Sequence, residues 1–406
     1  MSARKYVILL GDGMPDLPIE SLGGNTPLMA AVTPNLDRLA REGYAGLAQT
    51  TPDGFPPGSD VTNMGILGYD PALYYTGRAP LEAAAMGVAL NPGDVAYRCN
   101  LVTLRPVADG LIMDDFSAGH IETAEAHELI ATLQEKLGGA RLSFHPGVSY
   151  RHLMVLRGDT AKVTLTPPHD ISDQNIRGHL PKGEGAGELL DIINHAQMVL
   201  KTHPANAKRK AAGKKEANSI WLWGQGGAPT MPTLKEKRGL TGAMISAVDL
   251  MRGIGVYAGM RVIRVPGATG WIDTNYEGKA QACLDALREV DLVYLHVESP
   301  DESGHAGNLE YKIKAISDFD ARVVGPVVAG LEKMGDFRVV ALSDHPTPIA
   351  IKTHNTDPVP FAIYPAPEKG KGAAAFDEAS MASTGARFNS GVALFEYFTK
   401  GEAQKL

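Results

Sequence analysis

Three apolar runs in this chain each close on an aspartate: Tyr6-Val-Ile-Leu-Leu-Gly-Asp12, Asp291-Leu-Val-Tyr-Leu-His-Val-Glu-Ser-Pro-Asp301 and Phe337-Arg-Val-Val-Ala-Leu-Ser-Asp344. Continuous apolar character, rather than polar alternation, predicts strands covered on both faces, as in a parallel sheet. Residues 33–43 start with Thr33-Pro34 and stop at Gly43, which predicts a short helix with a threonine cap. A Gly/Pro-rich loop over 51–59 leads to a second helix start at Ser59. Further along, 123–137 predicts a helix, 219–223 a strand, 242–252 a helix, 262–265 a strand and 275–289 a helix. Within 311–334, Ile313, Ile316, Phe319, Val323, Val327 and Leu331 fall on one face of a long helix.

Strands alternating with helices predict an α/β fold built on a doubly wound sheet. The middle of the chain reads as an insertion. The expected core domain is 1–94 with 216–406, and residues 95–215 form a smaller inserted α/β domain. No internal repeat interrupts this reading. Residues 369–375, Lys-Gly-Lys-Gly-Ala-Ala-Ala, predict a flexible surface loop.

With 406 residues, the chain exceeds what one hydrophobic core usually organises, in keeping with two domains. No apolar stretch approaches the roughly 20 residues a bilayer span needs, and Met-Ser-Ala-Arg-Lys runs straight into the first strand, so no membrane association and a cytoplasmic location are expected. Cys99 and Cys283 lie far apart and outside any paired spacing, which predicts buried thiols. A net charge of −7 argues against nucleic acid as a partner. A small anionic molecule stays possible where positive charge gathers locally, as in the basic stretch 201–215, whose plainer reading is a solvated linker.

The chemistry gathers at the ends of the apolar runs. Asp301 and His305 stand at i and i+4 and share a face if the segment is helical. His345 follows Asp344 directly, and His354 lies in a polar loop nine residues on. Carboxylates and imidazoles converging from several strand ends suit divalent metals. Counting Ser59, the seven candidates Asp12, Ser59, Asp301, His305, Asp344, His345 and His354 are too many for one tetrahedral centre, and a two-metal site is the natural count. Ser59 follows Gly58 at a helix start; it is either an ordinary cap or a nucleophile whose hydroxyl a metal activates, and phosphoryl transfer is the chemistry such a site serves best. Thr166-Pro-Pro-His169-Asp170 reads as a Pro-rich turn or a presented acid/base pair, and Arg209 as a linker cation or an anion ligand.

Gly-Asp12-Gly-Met, Thr33-Pro-Asn-Leu-Asp, Pro-Gly-Ser59-Asp, Pro-Asp301-Glu-Ser-Gly-His305, Ser-Asp344-His345 and Thr-His354-Asn-Thr-Asp-Pro-Val-Pro together resemble the cofactor-independent phosphoglycerate mutases. Their order and context are similar to the archaeal-type branch of that family, within the alkaline phosphatase superfamily. The resemblance implies an alkaline-phosphatase-like core, with one metal held by Asp12, Ser59, Asp344 and His345 and a second by Asp301, His305 and His354. The metals implied are manganese, with zinc, cobalt or magnesium in relatives. Ser59 would take the phosphoryl group of 3-phosphoglycerate as phosphoserine and return it to give 2-phosphoglycerate, while the insert closes as a substrate-binding lid. Among insert residues His169, Asp170 and Arg209 resemble the branch's motifs. The implied partner is a small phosphorylated substrate, and the oligomeric state stays open. Competing readings on the same site are a metal-dependent phosphatase, a homoserine kinase, which would need a donor such as ATP although no G-x-x-x-x-G-K-[ST] loop is present, and a metal-stabilised binding protein, against which Ser59 speaks.

Overall fold

The computed structural model describes residues 4–158, 162–366 and 372–400. It divides into two units, Met1–Tyr75 with Met231–Leu406, and Thr76–Thr230.

In the first unit eight strands lie in the order Arg261–Ile263, Gly242–Ile245, Leu292–Val297, Lys5–Gly11, Phe337–Leu342, Val359–Tyr364, Tyr44–Ala48 and Arg387–Phe388. All run in one direction except Val359–Tyr364, which is antiparallel to both neighbours. The three aspartate-ended runs therefore sit side by side at the centre. Gly11 is in register with Val297, and Leu10 with Leu342, so Asp12, Glu298 and Asp344 leave the sheet at one carboxyl edge. Both faces are covered, which is why these strands are uniformly apolar. Val7, Leu9, Val293, Leu295, Val339 and Ala341 share a core with the helices Tyr276–Ala286, Leu309–Phe319 and Gly325–Met334. The alternate positions Ile8, Leu10, Tyr294, Val340 and Leu342 are buried as well.

Several local expectations are corrected. Residues 242–252 are not one helix: Gly242–Ile245 is a strand between two parallel neighbours, and a helix begins only at Asp249. A run of four small or apolar residues fits either element, and the sheet position decides it. The long helix expected over 311–334 carries a π-turn, Asp320–Val324, in its middle. Pro326 lacks an N–H and crowds the carbonyl four residues back, so an extra residue in the turn relieves a clash that a regular helix would carry. That turn places the buried Asp320 over the helix Pro34–Glu42, where its carboxylate accepts from the backbone N–H of Leu36 at 2.6 Å and of Asn35 at 3.2 Å. The expected Thr33 side-chain cap does not form, because this distant aspartate satisfies the helix N-terminus instead. Residues 369–371 of the expected surface loop lie outside the described residues, while Ala373 is buried and donates its N–H to Ala40 O.

The second unit is built on an antiparallel sheet in the order Gly110–Asp115, Asp94–Val107, Arg151–Arg157, Leu142–His145, with Ser219–Gly226 also paired to Asp94–Val107. Helices Thr123–Leu137 and Ala186–Lys201 cover one face through Leu129, Ile130, Leu133, Leu189 and Ile193. The insertion is wider than the expected 95–215. Ser219–Gly226 is one of its own strands, and Ala79 and Ala83 of the helix Arg78–Ala85 pack on Ala96, Leu153 and Val155 of its sheet. Cys99 and Cys283 are both buried free thiols, as expected. Among the described residues no helix is long and apolar enough to cross a membrane.

His152 is buried in this second unit, accepts the Gly147 N–H on Nδ1 at 3.0 Å, and is pushed down to about 3 by burial. As pH falls below the ordinary imidazole value, the unfolded chain binds a proton that the folded chain refuses, so stability is complete above that value and declines as pH approaches about 3. Replacing His152→Asn, which keeps an acceptor for Gly147, is expected to flatten this part of the melting-temperature profile, measured by circular dichroism between neutral and acid pH. An unaltered profile would exclude His152 as a source of the acid sensitivity.

Candidate metal centre

The carboxyl edge of the large sheet carries two clusters of ligand-type atoms. In the first, Asp12, Asp344 and His345 converge and all three are fully buried. His345 Nε2 lies 3.2 Å from Asp344 Oδ2 and 3.7 Å from Asp12 Oδ1. Ser59 joins them with its Oγ 3.1 Å from His345 Nε2. The local structure explains why this hydroxyl is available. The helix runs Ser59–Ile66 with Gly58 as its cap residue, so Ser59 is the first helical residue and its side chain has no capping task.

In the second cluster Asp301 and His305 come from one helix, Ser299–His305, and His354 from the loop after the strand Phe337–Leu342. Asp301 lies 3.3 Å from His305 Nε2 and 3.4 Å from His354 Nε2, and the two Nε2 atoms are 3.0 Å apart. The structure thus gathers all seven residues singled out in the sequence into two adjoining groups.

The donor chemistry fits divalent cations. His305 Nδ1 is 3.0 Å from Lys352 O, and His354 Nδ1 is 3.1 Å from Pro57 O. A carbonyl only accepts, so each Nδ1 carries a proton, and each Nε2 offers its lone pair to whichever cation the site holds, a metal ion or a second proton. Two lone pairs and a carboxylate facing one another repel unless a cation lies among them. His345 follows the same rule: its Nδ1 is 3.3 Å from Thr347 Oγ1, which itself donates to Asp301 Oδ1 at 2.5 Å. Asp12 Oδ1 is buried with no hydrogen-bond partner, an orphan that a metal would satisfy.

The electrostatics have the same cause. Burial raises the Asp12 carboxyl well above its usual value, and neighbouring Asp344 and Glu298 raise it further. Burial would also raise Asp301, but hydrogen bonds from His305 and His354 outweigh it and hold this carboxyl well below the usual range. Against the opposing effect of burial, the same carboxylate lifts His305 to about 9 and raises His354. Protons and metals compete for one negative field.

Several supporting residues gave no signal in the sequence. Asn63 Nδ2 donates to Asp344 Oδ2 and to Ser59 O, each at 2.9 Å, while its Oδ1 accepts from the Tyr294 hydroxyl at 2.5 Å. Lys312 is fully buried and ties Asp16 Oδ2 at 2.8 Å to Thr347 O at 2.8 Å, joining the loops that follow two of the central strands. Gly13 has φ +61°, and a Cβ there would stand 2.7 Å from the Asp301 Cα, so glycine is required where these loops touch. His296 and Glu298 lie in a quoted motif; each is three residues or more from the nearest quoted ligand, so spacing did not reveal them.

The insert candidates fare differently. His169 and Asp170 occupy an exposed turn, 3.6 Å apart, with the His169 ring 5.2 Å from Trp223. Trp223 in turn stacks under Arg98 at 4.0 Å, and Arg98 shares Glu82 with Arg78. Arg209, expected as an anion ligand, is instead buried and donates to Glu125 at 2.5 Å, Ala118 O at 2.7 Å and Lys215 O at 2.8 Å. Its guanidinium braces the interior of the insert. A basic stretch cannot reveal from sequence which of its cations turns inward.

Residues 40–206 match the profile of the 2,3-bisphosphoglycerate-independent phosphoglycerate mutases. A probable 2,3-bisphosphoglycerate-independent phosphoglycerate mutase from Geobacter sulfurreducens is 57% identical over 97% of this chain and 98% of its own length. The 2,3-bisphosphoglycerate-independent phosphoglycerate mutase of Methanothrix thermoacetophila is 56% identical over 94% of this chain and 96% of its own. A solved protein structure from Pyrococcus horikoshii superposes with a TM-score of 0.84 at 27% identity, covering 100% of both chains.

Cations that bind the folded chain and not the unfolded one stabilise it, by about 2.7 kcal/mol per site at a hundredfold excess over Kd. Exhaustive chelation is therefore expected to lower the melting temperature and added Mn2+ to restore it, with Asp301→Asn recovering only part of the rise in a calorimetric scan. A melting temperature indifferent to chelator and metal would rule out both clusters as cation sites.

Proposed function

This chain belongs to the 2,3-bisphosphoglycerate-independent phosphoglycerate mutase family, and from that premise we propose how its own residues interconvert 3-phosphoglycerate and 2-phosphoglycerate. The observation that carries the reading is the Ser59 hydroxyl, held at the start of a helix 3.1 Å from His345 Nε2, which itself lies 3.7 Å from the orphaned Oδ1 of Asp12.

In this reading Asp12, Ser59, Asp344 and His345 would hold one divalent ion and Asp301, His305 and His354 the other. Manganese is the expected metal, with zinc, cobalt or magnesium as substitutes. When bound, the ions lower the pKa of the serine hydroxyl and neutralise charge on the transferred phosphoryl group. Asn63 fixes Ser59 from behind by donating to its carbonyl, so Oγ is aimed rather than mobile. Ser59 Oγ forms a bond to phosphorus as the bond from phosphorus to the C3 oxygen breaks, and the proton Ser59 gives up ends on that oxygen, which leaves as the C3 hydroxyl of glycerate. The C2 hydroxyl then attacks the phosphoserine, its oxygen bonds to phosphorus as the bond from phosphorus to Ser59 Oγ breaks, and the C2 proton ends on Ser59 Oγ, restoring the serine hydroxyl. Nothing is consumed, so no bisphosphoglycerate is required.

A mutase differs from a phosphatase by keeping water from the phosphoserine, a task we assign to the inserted unit. Within that unit the half-exposed Arg78, which shares Glu82 with the Arg98 stacked on Trp223, is a further candidate cation for an anionic substrate beside Arg209. His169 and Asp170 remain the candidate proton-handling pair there. Action in the cytoplasm is part of the same proposal.

The test is incubation of manganese-loaded protein with 3-phosphoglycerate alone, following 2-phosphoglycerate, free phosphate and the mass of the Ser59 peptide together. The expected outcome is isomer without phosphate and a phosphorylated Ser59 peptide on rapid quench. Ser59→Ala is expected to reduce turnover at least about a thousandfold with both metals still bound. Free phosphate alone would replace the mutase by a hydrolase, and turnover only with homoserine and ATP would replace it by a kinase.

A further inference from the structure

Beside the two clusters, fully buried His296 meets the same edge. Its Nε2 is 2.8 Å from Asp12 Oδ2 and 3.3 Å from Glu298 Oε2, and its Nδ1 is 3.0 Å from Ser246 Oγ. Carboxylate oxygens accept, so Nε2, with two of them in reach, carries the proton, and Nδ1 accepts from the Ser246 hydroxyl, whose oxygen also takes the Val248 N–H at 3.0 Å. His296 therefore carries its proton on Nε2, pointing at the carboxylates. This is the opposite tautomer from His305, His345 and His354, whose protonated Nδ1 atoms face away from the clusters.

We infer that His296 is a positioning residue for the first metal: its Nε2–H occupies Asp12 Oδ2, so that Asp12 offers only Oδ1 to the ion shared with Asp344 and His345. The consequence is visible in Asp12 itself. One oxygen is hydrogen-bonded and the other is buried without a partner on the side of His345. A carboxylate free to rotate could ligate through either oxygen; one held on a single side presents a fixed lone-pair direction. Ser246 lies just past the strand Gly242–Ile245 and His296 on the strand Leu292–Val297, so two sheet strands set the geometry.

Asp12, His296 and Glu298 could be taken instead for a third cation site. Two features favour the hydrogen-bonded reading. A metal on Nε2 would require the proton to move to Nδ1, away from the two carboxylate oxygens that face Nε2, and the Ser246 hydroxyl to turn from donor to acceptor. A positive group of the chain also stands close by: Lys279 is fully buried and its Nζ donates to His296 O at 3.2 Å, although burial lowers it to about 8.

The inference rests on the metal centre of the proposed function, and the test separates the two. Manganese binding to chelated full-length protein is measured by isothermal titration calorimetry for the wild type, His296→Leu, His296→Gln and Ser246→Ala, with metal-free melting followed alongside. Two ions are expected in the wild type. His296→Leu should weaken one of them about 10- to 100-fold, Gln, whose amide can still donate to Asp12, should restore most of the loss, and Ser246→Ala should weaken binding in the same direction with the imidazole still present. With saturating Mn2+ the KM for 3-phosphoglycerate should stay at the wild-type value while the metal needed for half-maximal activity rises. Unchanged affinity in both His296→Leu and Ser246→Ala would overturn the inference, as would three ions in the wild type with one lost in His296→Gln. A wild type that binds two ions yet makes no 2-phosphoglycerate would sink the functional reading and leave the role of His296 standing.

Discussion

The constraint on which the rest depends is the burial of negative charge. Asp12, Asp344 and Asp301 end at one edge of the sheet with almost no access to water, and Glu298 adds a fourth carboxyl that burial and Asp301 raise to about 8. Isolated buried carboxylates are costly enough that they either neutralise or gather cations. Here the chain offers imidazoles, one buried ammonium and several hydroxyl and amide donors, and together these leave some carboxylate and imidazole lone pairs unmatched. The mismatch is what a binding site for divalent ions amounts to: a folded arrangement whose electrostatic account closes only when the ligand is present.

Holding that arrangement requires rigid neighbours, and much of the central sheet serves this end. Strands covered on both faces put three loops side by side, a glycine with positive φ lets two of them touch, and Lys312 ties their backbones together. Each histidine of the two candidate clusters is then turned by a hydrogen bond on its outer nitrogen. Tautomer is the quantity being controlled, since a proton on the wrong nitrogen would turn a ligand into a donor. His296 shows the same device in reverse, with a serine fixing the proton toward Asp12.

The metal edge follows one economy and the inserted unit another. Its cations are either interior braces, as Arg209 is, or lie against aromatic rings and a shared glutamate, as Arg98 does. A guanidinium with three fixed partners braces a fold, and one stacked on tryptophan and paired with a glutamate does the same through ring and carboxylate together.

The strands, the acidic ends of the strands and the residues of the two candidate clusters were legible in the sequence because each is announced locally: an apolar run, an aspartate at its end, a histidine within a few residues. Sequence alone determined the α/β class, the presence of an insertion and the seven residues gathered at the sheet edge. Only the tertiary structure decided what depends on partners remote in the chain. Asp320 caps a helix some 285 residues away, Gly242–Ile245 becomes a strand because neighbours flank it, the insert takes in residues 76–94 and 216–230, and Arg209 turns inward while His296 turns toward Asp12. Periodicity and capping are written within a few residues of themselves, but hydrogen-bond partners and burial are set by which distant segments the fold brings together.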